Sequence, residues 1–364
     1  MTYQADQQPI LFDIYPDLAD KIPWIPLGSF PTSIQRLQHL SQGELMIKRD
    51  DLSSDIYGGN KVRKLEFILA DVLQKGKKHV ITMGGIGTNH GLATAIFCRR
   101  LNLDCTLLLF YQPITSYVRQ NMLLFHKFQA EMVYTGTILR TGIEFYIPQK
   151  IKHPRAYFLY AGGSSIIGTL GFVNAAFELK KQLAEQGLAE PKYIFCPLGS
   201  NGTAAGIALG CALAGITSTI CAIRVAASHL GPFQITTPAT LRGLMEKTYR
   251  LLLSKSGMIP TVALRTPIVI DRYFGKAYGE PTAAGLDALK QARELEGISL
   301  DPTYTSKAFA GVLDFIKANT HRTEEVLYWH TYNSSNLSHE AQLVDYHDLP
   351  PVFHRFFTQQ EIPV

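Results

Sequence analysis

Gly58-Gly59-Asn60-Lys61-Val62-Arg63-Lys64-Leu65-Glu66 sets two glycines, a helix-capping Asn and then a lysine at the first helical position. A cation is disfavoured there, because the backbone dipole already makes a helix N-terminus positive. Such a setting lowers a lysine's pKa and helps make its amine a nucleophile. A solvated lysine beside an ordinary loop is the simpler account of Lys61 taken alone. Val62, Leu65, Leu69 and Val72 recur at helical spacing as a buried stripe. Lys61 and Lys64, three residues apart, flank one edge of it, so one helix could deliver two ammonium groups to one pocket. Arg63 points the other way, to solvent or a surface carboxylate.

Before this stretch, residues 1–55 read as irregular and proline-rich, with a short helical candidate at Ser33–Leu40. After it, strand-like runs at His79–Met83, Cys105–Phe110, Met132–Thr135, Ala156–Ala161, Tyr193–Pro197, Ile220–Val225 and Val326–His330 alternate with helical patterns. The helices are expected at Lys61–Gln74, Gly91–Leu101, Ser116–Phe128, Thr169–Glu185 and Thr203–Ala214. Such alternation means βαβ units and largely parallel sheets. Ligands of parallel α/β folds sit at the carboxyl ends of strands, where the βα turns gather.

Three of those turns are rich in Gly and small polar residues: Gly84-Gly85-Ile86-Gly87-Thr88-Asn89-His90, Gly162-Gly163-Ser164-Ser165 and Gly199-Ser200-Asn201-Gly202-Thr203. In the third, Gly199 and Gly202 let the backbone curl while Ser200, Asn201 and Thr203 supply donors. The following helix N-terminus suits a phosphate. It is neither a Walker loop nor a dinucleotide fingerprint, and an ordinary tight turn has the same look. In the first, Thr88 or Asn89 serves as a helix cap, and His90 brings a titratable ring to a glycine-lined turn.

The 364 residues suit one large or two modest domains, and 46% hydrophobic with 18% charged residues describes a packed globule. A net charge of +5, with the basic residues scattered, gives no footprint for nucleic acid. Five cysteines without a C-x-x-C pair lie in apolar stretches, as buried thiols of a reducing compartment do. Met1–Pro16 lacks the features of a signal peptide, and no apolar run approaches the roughly 20 residues of a membrane span. The expectation is a cytoplasmic protein. No histidine or cysteine spacing suggests a metal site, and His339, His347 and His354 read as surface or packing residues.

Taken in order, Lys48-Arg49-Asp50-Asp51-Leu52, Gly58–Glu66 and Gly84–His90 resemble the pyridoxal-phosphate family of 1-aminocyclopropane-1-carboxylate deaminase and D-cysteine desulfhydrase. The likeness continues through Gly162-Gly163-Ser164, Gly168–Phe172, Tyr278-Gly279-Glu280-Pro281, Glu296-Gly297-Ile298 and Leu300–Lys307, covering roughly 45–335. It implies a tryptophan-synthase-β-like fold of two three-layer α/β/α domains with mainly parallel sheets. A large domain (1–55 and 166–364) would carry an inserted small one (56–165), with the cofactor in the cleft between them. Lys61 would be the Schiff-base lysine of pyridoxal 5'-phosphate. Asn60, Lys64, Asn89, Gly199, Ser200, Asn201, Gly202, Thr203, Thr305 and Thr331 would bind the cofactor. Asn89 would meet its phenolic oxygen, and the Gly199–Thr203 loop would cup its phosphate. Thr88, Asn89 and His90 would meet the substrate, and Thr88, Tyr278 and Tyr304 would join Lys61 in catalysis.

Within that family the cyclopropane deaminases resemble one another in a Glu at the position of Thr305, where the D-cysteine enzymes have Thr. Thr331 after His330 also matches the latter. A neutral hydroxyl leaves the ring nitrogen less protonated and the cofactor a weaker electron sink. That suits β-elimination of a good leaving group better than opening a cyclopropane ring. The chain departs from the family at Gly87-Thr88, where Gln-Ser is usual, and at Tyr332-Asn333, where Gly-Gly is usual. The likeness therefore implies a lyase or deaminase acting on a small amino acid, as a homodimer. A protein that keeps the cofactor without catalysis, and a nucleotide-binding oxidoreductase, are the alternatives.

Overall fold

The computed structural model describes residues 8–41, 43–319 and 324–362. Residues 1–7 of the Met1–Pro16 stretch lie outside them. The chain divides into two compact units, Met1–Phe67 with Ser164–Ser334, and Ile68–Gly163 with Ser335–Val364.

The larger unit is built on a six-stranded sheet ordered β1 (Ile34–Arg36), β2 (Leu45–Arg49), β12 (Val326–His330), β7 (Tyr193–Leu198), β8 (Thr219–Arg224), β11 (Ile268–Ile270). Only β1 runs antiparallel. A short hairpin, β9 (His229–Leu230) with β10 (Phe233–Gln234), stands apart from this sheet. Residues along the central strands alternate between two cores, as a sheet covered on both faces requires. Met46, Ile194, Cys196, Leu198, Ala222, Leu327 and Trp329 join helices α7 (Ile166–Glu185), α8 (Gly202–Ala214) and α9 (Pro238–Lys255) on one face. Leu45, Ile47, Phe195, Ile223 and Tyr328 join α10 (Ala283–Glu296) and α11 (Thr305–Ala318) on the other. Gly206 and Gly210 let α8 lie close on α7, because a Cβ on either would stand 2.4–2.6 Å from Phe172 or Ala176 side-chain atoms. Helix α1 (Ile10–Ile14) adds Leu11 and Phe12 to a further cluster with Phe67 and Leu170.

The smaller unit holds an all-parallel sheet ordered β5 (Glu131–Gly136), β4 (Asp104–Phe110), β3 (His79–Gly85), β6 (Tyr157–Phe158). Helices α3 (Asn89–Arg100) and α4 (Ser116–Lys127) pack beside it, as does α5 (Ile138–Tyr146), whose Phe145 meets Ile81 and Leu108; α6 (Pro148–Lys152) follows. All five cysteines are buried, unpaired thiols. Among the described residues no helix is long and apolar enough to cross a membrane.

Ser33–Leu40 is not a helix. Ile34–Arg36 pairs with β2 in the register Ile34↔Lys48, and the Arg49 and Leu37 amides bond Ser33 and Leu45 carbonyls at 2.9 Å. Its backbone groups are thus used by the sheet edge. The units also divide differently from the expected 1–55 with 166–364 and 56–165. The division falls inside α2 (Asn60–Gln74), and 335–364 groups with the smaller unit. There α12 (Ser338–Gln342) is followed by α13 (Pro351–Thr358), whose Phe356 packs on Tyr134 of β5 with ring centroids 5.3 Å apart. Arg119 of α4 bonds Glu361 and the Phe356 carbonyl. Aromatic packing on a strand face, unmarked by any motif, holds this segment to its unit.

Candidate active site

In the larger unit Asn60 is the first residue of α2, and its side chain is not spent on a cap. Its Nδ2 donates to Thr203 Oγ1 at 3.1 Å, and its Oδ1 accepts from Lys61 Nζ at 2.9 Å. Its backbone N–H donates to the Thr331 carbonyl at 3.1 Å. Gly59 permits that approach: its φ is +90°, and a Cβ there would stand 2.8 Å from the Thr331 oxygen and 2.9 Å from that of Tyr332. The Asn333 Oδ1 accepts the Gly58 N–H at 2.6 Å. Asn333, in the pair where Gly-Gly is usual, thus tethers the lysine loop.

Lys61 is half-buried, yet enough protein surrounds its ammonium to bring its pKa down to about 8. Burial is the cause, and the negative charge of Asp301 opposes it. Desolvation primes this amine. Lys64 is buried, and burial first and the Lys61 charge second hold it well below the ordinary lysine range.

Lys64 Nζ faces the start of α8. A Cβ on Gly202 would stand 3.0 Å from it and 2.8 Å from Ser164 Oγ. Ser164 Oγ donates to Ser200 Oγ at 2.9 Å and accepts the Gly202 N–H at 3.1 Å. Two hydroxyls, one ammonium and a helix N-terminus therefore line a concavity kept open by a missing side chain. Asn201 contributes differently from the expectation. Its φ is +60°, and its amide donates to the Ile235 carbonyl at 2.8 Å and Thr240 Oγ1 at 3.2 Å, fixing the loop from behind. Ser164 belongs to the second glycine turn, and its place here could have been found by treating the two turns as one cradle.

Across Gly199, whose Cβ would meet the Tyr304 ring at 3.5 Å, lies a pair of tyrosines. The Tyr278 and Tyr304 hydroxyls share a very short hydrogen bond. Burial raises both phenols, and neighbouring Tyr278 lifts Tyr304 further, so both keep their protons. Asp301, buried and unnoticed in the sequence, organises this corner. Its Oδ2 accepts the Thr303 and Tyr304 N–H groups at 3.0 and 2.8 Å. Its Oδ1 accepts the Thr305 N–H at 2.9 Å and the Thr305 hydroxyl at 2.6 Å. Signal for it existed: an Asp four residues before Thr305, just ahead of a helix, is a capping pattern. Tyr57, also missed, is buried, and burial and the Asp301 charge raise its phenol.

Arg63 does not reach solvent. It is buried and bonds Asp50 and Glu178, Nε to Asp50 Oδ2 at 2.8 Å and Nη1 to Glu178 Oε2 at 2.8 Å. Trp329 Nε1 also donates to Asp50, at 2.7 Å. Lys48 Nζ donates to Glu178, Gln182 Oε1 and the Thr32 carbonyl at 2.5–2.6 Å. Burial would raise the Glu178 carboxyl, but Arg63 and Lys48 overcome it and hold it at about 2. Burial also pushes Lys48 down. Its three acceptors require three N–H donors, so the geometry favours the ammonium. The Arg63 guanidinium has its polar edge saturated because two carboxylates and the Phe30 ring, 4.1 Å from it, enclose it.

The first glycine turn lies in the smaller unit. Thr88 caps α3, its hydroxyl accepting the Gly91 N–H at 3.2 Å, and a Cβ on Gly84 would collide with it at 2.6 Å. Asn89 is not the cap; its Oδ1 accepts from Asn121 Nδ2 at 3.1 Å. The His90 ring turns inward. Its Nε2 lies 2.9 Å from Thr82 Oγ1, which donates to the Leu159 carbonyl, so the histidine is the donor of that pair. Among the described residues no His, Cys, Asp and Glu cluster could hold a metal ion.

An aldehyde-bearing phosphate ester needs an amine of near-neutral pKa and an anion cradle a few ångströms further along. Lys61 offers an amine of lowered pKa, and Lys64, Ser164, Ser200 and the start of α8 offer the groups of such a cradle. Residues 25–331 match the family model of pyridoxal-phosphate dependent enzymes. The chain is similar to a D-cysteine desulfhydrase of Salmonella choleraesuis (strain SC-B67), 32% identical over 85% of this chain and 94% of that one. It is similar to a Pyrococcus abyssi (strain GE5 / Orsay) protein with the provisional name 1-aminocyclopropane-1-carboxylate deaminase, 31% identical over 89% of this chain and 96% of that one. A solved structure of an ACC deaminase homologue superposes with a TM-score of 0.75 at 30% identity, covering 93% of this chain and 98% of that one. A chain that matches that model over most of its length belongs to the pyridoxal-phosphate-dependent enzymes.

Proposed function

We propose that the enzyme eliminates a good leaving group from Cβ of a small D-amino acid, D-cysteine or a relative, giving pyruvate, sulfide and ammonia. The observation that carries this choice is Thr305: a hydroxyl stands at the head of α11, and Asp301 is folded back into the backbone caps. Bound pyridoxal phosphate supplies a conjugated sink for the electrons left at the substrate Cα. Lys61 would hold the cofactor aldehyde and then, freed by substrate, accept the Cα proton at Nζ, a role its near-neutral pKa suits. Asn60 Oδ1 keeps that nitrogen aimed. Tyr278 and Tyr304, both kept protonated by burial, supply a proton to the departing sulfur. Lys64, Ser164, Ser200 and the α8 N-terminus would hold the phosphate, with Thr203 fixed beside them by Asn60.

Thr88 and Asn89 are proposed to meet substrate and cofactor, as the resemblance implies. His90 is proposed only as their support, since its ring bonds Thr82. Thr331 is proposed to reach the cofactor from the end of β12. The resemblance also supports a homodimer of the cytoplasm, which light scattering of the purified protein tests by mass.

The second reading is 1-aminocyclopropane-1-carboxylate deaminase, favoured by the solved homologue at 30% identity. Sulfide release from D-cysteine and 2-oxobutanoate from the cyclopropane substrate separate the two. An absorbance band at the edge of the visible, lost in Lys61→Ala, reports the attached cofactor. Protein that keeps this band yet turns over neither substrate sinks both readings.

A further inference from the structure

A threonine hydroxyl has one hydrogen to give and two lone pairs to offer. Thr305 gives its hydrogen to Asp301 Oδ1 at 2.6 Å and accepts the Asp301 N–H at 2.8 Å. The carbonyl of Asp301, 3.5 Å away, is a poorer target for the same hydrogen. The Asp301 carboxylate is itself fixed. Its roughly four lone-pair directions meet the N–H groups of Thr303, Tyr304 and Thr305 and the Thr305 hydroxyl. Every one of those partners donates, so Asp301 is locked as an acceptor and Thr305 retains one lone pair and no hydrogen. A further group meeting Thr305 Oγ1 must therefore bring a hydrogen of its own. A bare pyridine nitrogen has none; a protonated one has.

We propose that Asp301 is a positioning residue which, by fixing Thr305 as an acceptor, selects the protonated ring nitrogen of the cofactor. This rests on the proposed function and on the family resemblance, which implies that Thr305 meets that nitrogen. The ring N–H would donate to Thr305 Oγ1, whose own hydrogen stays on Asp301, so no proton changes owner and the carboxylate acts one hydroxyl removed. Such an arrangement gives an electron sink stronger than a lone hydroxyl allows and weaker than a carboxylate in direct contact. It reverses the simpler expectation that a hydroxyl partner leaves the nitrogen unprotonated.

The test is the ring-nitrogen resonance of full-length protein loaded with pyridoxal phosphate carrying ¹⁵N in the ring. At neutral pH the wild type and Thr305→Ser should show the protonated position. Thr305→Val, which leaves every Asp301 backbone cap in place, should shift the signal downfield to the unprotonated position. Asp301→Asn should move it the same way, with its melting curve recorded because the caps are disturbed. An unprotonated wild-type nitrogen, or a Thr305→Val signal unchanged from wild type, overturns the proposal. Borohydride reduction followed by peptide mass analysis tests the underlying reading separately. Cofactor fixed elsewhere than on Lys61 removes that reading, whereas cofactor on Lys61 with an unprotonated nitrogen removes only the role given to Asp301.

Discussion

Arg63 and Lys64 are adjacent on one helix, both buried, and meet opposite electrostatic surroundings. Arg63 lies between Asp50 and Glu178, with Lys48, Thr32 and Trp329 completing a network in which every charge has a partner. Lys61 bonds the Asn60 amide oxygen and Lys64 lies beside Gly202 at the head of α8, and burial lowers both lysines. The first arrangement stabilises a fold. In the second, burial disfavours the charged form of both lysines, which suits an amine that must act as a nucleophile. Bonded carboxylates beside Arg63, more than burial itself, mark it as scaffold.

Breaking the active side of this contrast should have the largest effect. Lys61→Ala should lower turnover by a factor of at least about 10²–10⁴, the range for loss of a positioned proton acceptor alone. Sulfide or 2-oxobutanoate release checks it. Unfolding midpoints should stay close to wild type or rise, since a half-buried amine whose charge burial disfavours is removed. A loss of several kcal/mol of stability would show that Lys61 belongs to the scaffold.

Breaking the scaffold side should do the reverse. Glu178→Ala leaves Arg63 and Lys48 facing an unfilled place, which costs about 3–5 kcal/mol for a broken buried pair. Denaturant unfolding measures it, with turnover per folded molecule little changed at low temperature. The acid dependence has a defined sign. The folded Glu178 carboxyl is depressed to about 2 from 4.5, so its contribution is present above the ordinary value and is lost as pH falls toward 2.

Filling the concavity is a milder test. Gly202→Ala places a Cβ 2.8 Å from Ser164 Oγ and 3.0 Å from Lys64 Nζ, side-chain atoms that can shift, and 3.2 Å from Ser164 Cα, so the fold should tolerate it with a small loss of stability. Cofactor retention should weaken by roughly tenfold, about 1.4 kcal/mol, measured by dialysis and absorbance. Unaltered retention would place the phosphate elsewhere.

The smallest effect is a matter of pH. Lys61 is lowered to about 8 from 10.5. The cost of its buried charge is therefore present below about 8 and relieved as pH rises toward 10.5. Covalent capture of pyridoxal phosphate by apoprotein should quicken about tenfold per pH unit below 8 and then level. A plateau reached only above 10 would show an ordinary exposed amine.

Strands β3, β4, β7, β8 and β12 and helices α2, α3, α4, α7 and α8 were legible because period and turn chemistry agree there. β2 was not, since its Lys48 reads as surface and is buried only because Glu178 and Gln182 arrive from α7. For the same reason Arg63, expected to face solvent or a surface carboxylate, was not read as buried: the two carboxylates that hold it lie 13 and 115 residues away. Asp301 shows the converse. Its capping pattern is local and readable, but that Thr305 is left as an acceptor follows only from the directions of four converging donors.

By itself the sequence determined the alternating α/β class, the glycine turns, the lysine at the head of α2 and, through its motifs, the cofactor. These rest on local rules: side-chain period, backbone freedom at Gly and the chemistry of adjacent residues. Which cations meet carboxylates, which are lowered by burial and which way a hydroxyl points were decided by tertiary structure. Electrostatic surroundings are sums over groups brought close in space, and sequence separation carries no measure of that distance.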